Sequence, residues 1–207
     1  RAAKMVILNA DHPDVLEFIR VKRDRTRLTN FNISLATTDA FWRAVEADGD
    51  FALVNPRDGG ITRRIDARSL LAEIAEGAGA SGDPGVLFID AVNRANPTPH
   101  LGPLAATNPC GELPLLPNEA CNLGSLRLDA FVRDGRIDWE CLERSVDLGV
   151  RFLDDVIEAS HYPFDAITRT VHANRKIGLG VMGFADLLVD LIRMNSLWPL
   201  LSGLACC

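Results

Sequence analysis

Short apolar runs alternate along the chain with segments in which apolar residues recur every three or four positions. The first pattern predicts strands, and the second predicts helices with one apolar face. The predicted strands lie over 5–8, 30–35 and 86–89, and the predicted helices over about 11–22, 39–45, 67–76, 139–160 and from 165 onward. Strands that alternate with helices in this way are typical of α/β proteins, so the predicted fold class is α/β.

The ends of several elements carry local signals. Asp11 can cap the first helix, with His12 assisting its start, and the second and third helices are expected to begin at Thr38 or Asp39 and at Asp66 or Ala67. The third helix is expected to end near Glu76, closed by Gly77. The strand over 30–35 alternates polar and apolar residues, which predicts one polar face. The wholly apolar strand over 86–89 is expected to be buried on both faces.

Composition narrows the class of protein. The chain has 207 residues, of which 47% are hydrophobic and 24% charged, enough for one sizeable core. No apolar run approaches the roughly 20 residues that span a bilayer, so no membrane partner is expected. The net charge of -6 argues against a nucleic-acid partner, although a local pocket for a nucleotide remains compatible with it. Five cysteines without an export signal indicate reduced thiols, and a cytoplasmic location is expected.

Candidate catalytic side chains are most closely spaced in the segment 107–112. Asn108, Cys110 and Glu112 occupy alternating positions, so in an extended segment their side chains would project from the same side. Pro109 and Gly111 favour instead a tight loop or irregular strand that presents the three groups. The side chains of Asn108, Cys110 and Glu112 are an amide, a thiol and a carboxylate, which are groups that take part in catalysis in many enzymes.

With Cys121 downstream, this segment resembles the radical-bearing finger loop of the ribonucleotide reductase catalytic subunit. The surroundings resemble the adenosylcobalamin-dependent (class II) branch. Supporting stretches are found in order along the chain, at 11–19, 30–34, 82–93 and 175–186. The resemblance implies that residues 1–191 are part of a ten-stranded α/β barrel with a central finger loop. Within it, Asn30 and Asn32 would lie near the barrel interior or serve as structural residues at a strand end.

The resemblance also implies a role for each site residue. Cys110 would carry a thiyl radical that abstracts the 3'-hydrogen of a ribose and later returns it. Glu112 would accept the 3'-hydroxyl proton, and Asn108 would orient the hydroxyls and the carboxylate. Cys121 would be one of two thiols that close to a disulfide, and its partner would lie upstream of Arg1. Arg1 would end an allosteric loop, with a solvated arginine as the alternative.

The implied function is reduction of ribonucleotides to 2'-deoxyribonucleotides for DNA synthesis. The implied cofactor is adenosylcobalamin, for which no contacting residue is assigned. The implied partners are ribonucleoside di- or triphosphate substrates, dNTP and ATP effectors, and thioredoxin or glutaredoxin as reductant. The resemblance also allows a homodimer. Because the chain opens on Arg1 and lacks the second redox cysteine, we expect an internal fragment that is inactive alone.

Other interpretations stay open from the sequence. A class I large subunit uses the same thiyl chemistry but receives its radical over a tyrosine chain, and Tyr162 does not decide the matter. A noncatalytic thiol-redox or nucleotide-binding module is the rival from another class. Cys110 and Cys121 would then be small buried hydrophobes, as Cys141 is expected to be. A zinc site with His100 has the wrong ligand spacing, and no metal site is predicted.

Two stretches near the end of the chain have their own interpretations. Residues 178–183 spell a dinucleotide fingerprint, but the required preceding strand is missing. We expect there a helix start packed in the barrel. The tail over 192–207 fits neither a helix end nor a linker. We expect it to be unstructured or the product of a frameshift, since suitable codons for 194–204 read as an ordinary helix in another frame.

Overall fold

A computed structural model describes residues 3–192 of the chain. The chain divides into two compact units, and the boundary lies between Pro117 and Asn118. The predictions for Arg1 and for the tail after residue 192 lie outside the described residues.

The first unit contains seven short strands and four α-helices among its described residues. The strands are β1 (Lys4–Asn9), β2 (Phe31–Thr37), β3 (Asp50–Val54), β4 (Ile61–Asp66), β5 (Gly85–Phe88), β6 (Ala106–Thr107) and β7 (Pro114–Leu115). The helices are α1 (Val15–Arg20), α2 (Asp39–Glu46), α3 (Ala67–Ser81) and α4 (Ile89–Arg94).

A parallel sheet with the strand order β1-β2-β5 forms the centre of this unit. Lys4 pairs with Phe31 at one end of the β1–β2 register, and Asn9 pairs with Ala36 at the other. Parallel neighbours need a crossover connection. Helix α1 lies within the crossover from β1 to β2, and α2 and α3 lie within that from β2 to β5. The predicted α/β class is therefore confirmed.

The core of the unit lies on one side of β2. Ile33, Leu35 and Thr37 alternate along the strand and are each 1% exposed or less. Leu35 belongs to an apolar cluster that also takes residues from α1, α2 and α3, including Phe41 and Leu70. Because neighbouring side chains on a strand point to opposite faces, Asn32 lies on the other face of β2 and is exposed. The polar face predicted for this strand is confirmed.

Helix starts were predicted better than helix ends. Thr38 Oγ1 accepts from Phe41 N–H at 3.3 Å, and Asp66 Oδ1 accepts from Ser69 N–H at 2.6 Å. The predicted end of α3 near Gly77 is wrong, because the helix continues to Ser81 and ends at Gly82, whose φ is +81°. Gly77 serves packing instead. A Cβ there would come within 3.4 Å of the Ile19 side chain and within 3.3 Å of Pro84.

Two further predictions in this unit need correction. Helix α1 begins at Val15, after Asp14, and not at Asp11. His12 does assist the start, since its Nδ1 accepts from Asp14 N–H at 3.1 Å. Burial of the 86–89 strand on both faces is wrong, because Phe88 is 51% exposed. The reason is the position of β5 at the edge of the three-stranded sheet.

The second unit is built on a parallel pair of strands covered by a long helix. Its elements are β8 (Asn122–Arg127), β9 (Val132–Arg133), β10 (Arg136–Ile137), α5 (Trp139–Ala159), α6 (Asp165–Asn174), β11 (Ile177–Met182) and a helix from residue 184 to the last described residue, 192. Strands β8 and β11 pair with Asn122 opposite Ile177. The prediction of a continuous apolar stripe on α5 is confirmed only in its second half: Leu153 and Ile157 are buried, whereas Val146 and Val150 are 38% and 42% exposed.

The interpretation of 178–183 is corrected in part. Gly178 and Gly180 lie within β11 and not at a helix start. The preceding sequence offered no apolar run because β11 begins only at Ile177 and gains its partner from β8. A dinucleotide fingerprint needs its first two glycines in the turn after the strand. Their place inside the strand does not match that motif.

The strands of residues 3–192 form one three-stranded sheet and four two-stranded sheets, none of which closes into a barrel. The ten-stranded barrel therefore stays a prediction. No helix in the same range has the length and apolar content to cross a membrane.

Candidate active-site turn and redox cysteine

The segment 108–113 is the turn of a short hairpin. Strands β6 and β7 pair antiparallel, with Ala106 opposite Leu115 and Thr107 opposite Pro114. Asn108 N–H donates to Leu113 O at 3.3 Å, and Gly111 N–H donates to Asn108 O at 3.0 Å. Gly111 has φ +86°, a conformation that glycine adopts readily. The tight loop expected from Pro109 and Gly111 is present, and the extended alternative is not.

This turn brings the three predicted catalytic residues into one structural element. Cys110 is an exposed free thiol and Glu112 is exposed. Asn108 is half-buried, and its Oδ1 accepts from Leu113 N–H at 3.1 Å. Asn108 therefore helps to close the turn, and its Nδ2 group keeps two donors for other partners. A thiol and a carboxylate in one exposed turn can exchange a hydrogen atom and a proton with the same small molecule.

The approach to the hairpin is held by Asn93, a residue of α4. Its Nδ2 donates to Leu104 O at 3.0 Å and to Ile89 O at 3.0 Å. Its Oδ1 accepts from Leu104 N–H at 2.8 Å. One side-chain amide thus takes both backbone groups of Leu104, as a strand partner would. In the sequence, Asn93 stood out only as part of a family-like stretch, since no local pattern identifies the distant backbone that it binds.

Asn32 connects the turn to the sheet. Its Nδ2 donates to Pro109 O at 2.8 Å across 77 residues of sequence. The alternation of residues along β2 placed Asn32 on a polar face, which is the signal that the sequence contained. The partner on the turn became visible only in the structure.

Cys121 lies in the second unit, directly before β8. The thiol is free and half-buried. Burial raises the pKa of Cys121, the positive charge of Lys176 lowers it, and the negative charge of Glu119 raises it. The pKa of Cys121 is raised on balance, so the neutral thiol is favoured near neutral pH.

A buried carboxylate organises the surroundings of Cys121. The Glu119 side chain is 1% exposed, and its Oε2 lies 2.7 Å from Lys176 Nζ. Its Oε1 accepts from Asn174 Nδ2 at 2.9 Å. Because Asn122 pairs with Ile177, Cys121 and Lys176 each stand one position before the paired strands. Sequence reasoning missed Glu119 and Lys176, which are 57 residues apart.

Arg175 attaches the segment that contains Lys176 to helix α5. Arg175 ends α6 with φ +47°, and its guanidinium binds Asp154 Oδ1 at 2.7 Å and Glu158 Oε1 at 2.5 Å. The hydrogen bonds from Arg175 lower the pKa of both α5 carboxyl groups. The charge pairs therefore attach the chain just before β11 to helix α5.

Other predicted ligands do not form a cluster. Cys141 lies half-buried in the first turn of α5, where its N–H donates to Asp138 Oδ1 at 2.9 Å. Among residues 3–192, no group of three or more histidine, cysteine, aspartate or glutamate side chains is arranged to hold a metal ion.

The family follows from comparison with known proteins. Residues 1–195 match the family model described as the barrel domain of ribonucleotide reductase. The chain belongs to the ribonucleotide reductase family. The match includes the hairpin turn, Cys121 and the Glu119–Lys176 pair, so all of these lie within the barrel-domain segment of a reductase.

Curated relatives place the chain more closely within this family. A vitamin B12-dependent ribonucleoside-diphosphate reductase of Mycobacterium tuberculosis is 52% identical over 192 residues, covering 92% of this chain and 28% of the relative. A protein of the same name from Thermoplasma acidophilum is 47% identical, covering 97% and 26%. A vitamin B12-dependent ribonucleotide reductase of Streptomyces avermitilis is 34% identical, covering 91% and 22%.

These matches confirm the resemblance to the vitamin B12-dependent branch and do not favour the class I alternative. The chain spans at most 28% of the length of these three relatives.

Proposed function

We propose that the chain supplies part of the catalytic barrel of an adenosylcobalamin-dependent ribonucleotide reductase. The observation that carries this proposal is the hairpin turn with Asn108, Cys110 and Glu112, which lies within the matched barrel domain. The reaction replaces the 2'-hydroxyl of a ribonucleotide by hydrogen, for DNA synthesis. The names of the Mycobacterium and Thermoplasma relatives support a nucleoside diphosphate as substrate.

The thiol of Cys110 begins and ends the reaction. Hydroxide is a poor leaving group from an unactivated carbon, and a radical at the neighbouring 3'-carbon removes this difficulty. The Cys110 thiyl radical takes the 3'-hydrogen atom, so that an S–H bond forms as a C–H bond breaks. The two bonds are similar in strength, and Cys110 can therefore return the hydrogen atom in the last step.

Glu112 and Asn108 handle the hydroxyl groups. Glu112 accepts the 3'-hydroxyl proton as general base, which assists loss of the 2'-hydroxyl as water. Asn108 has its Oδ1 bound to Leu113 N–H, so its Nδ2 is the group that orients the substrate hydroxyl or the Glu112 carboxylate. The two amide roles are compatible because they use different atoms.

Two electrons enter from a dithiol. Cys121 and a second cysteine, which lies upstream of the Arg1 position in the family, are oxidised to a disulfide as the substrate radical is reduced. The balance is one ribonucleotide and one dithiol giving one deoxyribonucleotide, one disulfide and one water. Thioredoxin or glutaredoxin then reduces the disulfide. Nucleotide effectors, a homodimer and a role for Arg1 in effector response belong to the same proposal.

One described residue, Cys110, suits the chemistry of the cofactor. Adenosylcobalamin supplies, when bound, a carbon radical by homolysis of its cobalt–carbon bond. Cys110 is a free and exposed thiol, so its S–H bond would be accessible to the radical chemistry that the cofactor supplies. No residue among 3–192 is assigned to hold the cobalamin itself.

The test uses the full-length protein that carries this chain. We expect nucleotide reduction that requires adenosylcobalamin, is lost on illumination of the cofactor, and is abolished by Cys110→Ser. Cys141→Ser is the matched control, since Cys141 is a free thiol on α5 to which no role in the reaction is assigned, and it should retain turnover. Turnover without cobalamin but with a metal-containing partner would favour a class I enzyme. Unchanged reduction by Cys110→Ser would support a noncatalytic module and overturn the proposal.

A further inference from the structure

We propose that Asn32 is the positioning residue of the thiol-bearing turn, holding the peptide that leads into Cys110 against strand β2. The inference rests on the proposed function and adds to it a residue outside the hairpin. Its basis is the hydrogen bond of 2.8 Å from Asn32 Nδ2 to Pro109 O.

The position of the accepting oxygen explains how this contact can orient Cys110. The carbonyl of Pro109 and the nitrogen of Cys110 belong to one planar peptide group. Fixing the oxygen therefore restricts rotation of that plane, and with it the position of the Cys110 Cα from which the thiol projects. A contact to the Cys110 side chain itself would instead occupy the reacting group.

The donor lies on a strand that is paired and has buried residues beside it. Asn32 pairs with Met5 of β1, and its neighbour Ile33 is 1% exposed. Leu35, further along β2, is fully buried in the apolar cluster. Such a strand moves little, so the amide of Asn32 is a fixed reference for the turn.

The other hydrogen bonds of the turn do not connect it to the sheet. The bonds between Asn108 and Leu113, and that from Gly111 N–H to Asn108 O, are internal to the hairpin and set its shape. The paired strands β6 and β7 are only two residues each. Asn93 holds the approach to this small hairpin, and Asn32 connects the turn that carries the thiol to the sheet.

The proposed reaction makes this placement important. Hydrogen transfer needs the reacting atoms about 3–3.5 Å apart, and a misplacement of about 1 Å can lower the rate on the order of 100-fold. Cys110 must reach the same carbon twice, first to take the hydrogen atom and then to return it. A small displacement of the turn should therefore reduce turnover far more than it weakens nucleotide binding.

The test is Asn32→Asp in the full-length protein. Aspartate has nearly the same shape as asparagine, but its ionised form has no donor and faces the Pro109 carbonyl with negative charge. We expect kcat to fall roughly 10- to 100-fold, with KM for the nucleotide changed less than about twofold. Hydrogen–deuterium exchange of the peptide 106–115 should become faster, while that of β1 stays the same.

The matched control is Asn55→Asp in the β3–β4 turn. Asn55 also holds a hairpin turn, since its Oδ1 accepts from Arg57 N–H at 3.0 Å and its Nδ2 donates to Asp58 Oδ2 at 3.3 Å. This variant should keep wild-type kcat and wild-type exchange of 106–115. It controls for the general cost of exchanging a turn asparagine for aspartate.

The outcomes separate the two proposals. Wild-type kcat in Asn32→Asp, or unchanged exchange of 106–115, overturns the role of Asn32 and leaves the proposed function intact. A wild-type protein that reduces no nucleotide defeats the proposed function, while the exchange measurement still decides whether Asn32 holds the turn. Equal losses in both asparagine variants would show a nonspecific effect and would also overturn the inference.

Discussion

Lys176 Nζ lies 2.7 Å from Oε2 of Glu119, whose side chain is 1% exposed. A carboxylate removed this far from water is held by its partners, here Asn174 and the partly exposed Lys176. Both charges act on the thiol of Cys121, and they act in opposite directions. Changes in the two residues therefore have distinguishable consequences for that cysteine.

Lys176→Gln and Glu119→Gln should shift the pKa of Cys121 in opposite directions. Loss of the lysine charge raises the pKa further, and loss of the glutamate charge lowers it. Since the thiolate is the reactive form, alkylation of Cys121 near neutral pH should slow in the first variant and accelerate in the second. The measurement is the rate of iodoacetamide alkylation against pH, followed by mass spectrometry of the Cys121 peptide in the full-length protein.

The control for this pair is Lys22→Gln. Lys22 is also part-buried and pairs with Asp83 at 2.9 Å, in the first unit. It should leave the alkylation profile of Cys121 unchanged. A shift in the same direction in both the Lys176 and Glu119 variants would indicate altered packing in place of electrostatics.

Glu112→Gln should lower kcat by roughly 10²- to 10⁴-fold, because the amide cannot accept the 3'-hydroxyl proton. Nucleotide affinity should change little. Steady-state kinetics of the full-length enzyme gives both quantities. Glu143→Gln is the control, since Glu143 is an exposed carboxylate on α5 to which no role in the reaction is assigned. Retention of full activity by Glu112→Gln would remove the general-base assignment.

Two substitutions of Asn108 should separate its two roles. Asn108→Asp keeps an oxygen for Leu113 N–H but loses the Nδ2 donors, so the hairpin should persist while kcat falls about 10²-fold. Asn108→Ala loses both, so hydrogen–deuterium exchange of 106–115 should also accelerate. Comparable exchange in the two variants would show that the Leu113 contact does not close the turn.

Leu35→Ala should destabilise the first unit by about 2–5 kcal/mol, because Leu35 is fully buried among α1, α2 and α3. Urea unfolding followed by tryptophan fluorescence reports this loss through Trp42, which packs against the same cluster. Leu101→Ala is the comparison, since Leu101 is 49% exposed and its truncation should cost less than about 1 kcal/mol. Similar losses of unfolding free energy in the two variants would show that Leu35 is not part of the core of this unit.

Local signals predicted well wherever the deciding atoms are close in sequence. Thr38 and Asp66 cap helices through N–H groups three residues away. The spacing of Leu153 and Ile157 predicts a buried helix face. The loop at Pro109 and Gly111 follows from the backbone limits of those two residues. Predictions failed where a distant element intervened. Gly77 suits a helix end by itself, but it packs inside α3 against Ile19.

The sequence by itself determined the α/β class, most helix starts, the family and the segment that carries the candidate thiol, because these depend on periodicity, caps and motifs with short separations. Only the tertiary structure decided that β11 pairs with β8, that Glu119 is buried against Lys176, and that Asn32 meets Pro109 O. The physical reason is common to all three. A strand edge, a buried carboxylate and a side-chain amide each require a partner, but chain folding selects which distant group provides it.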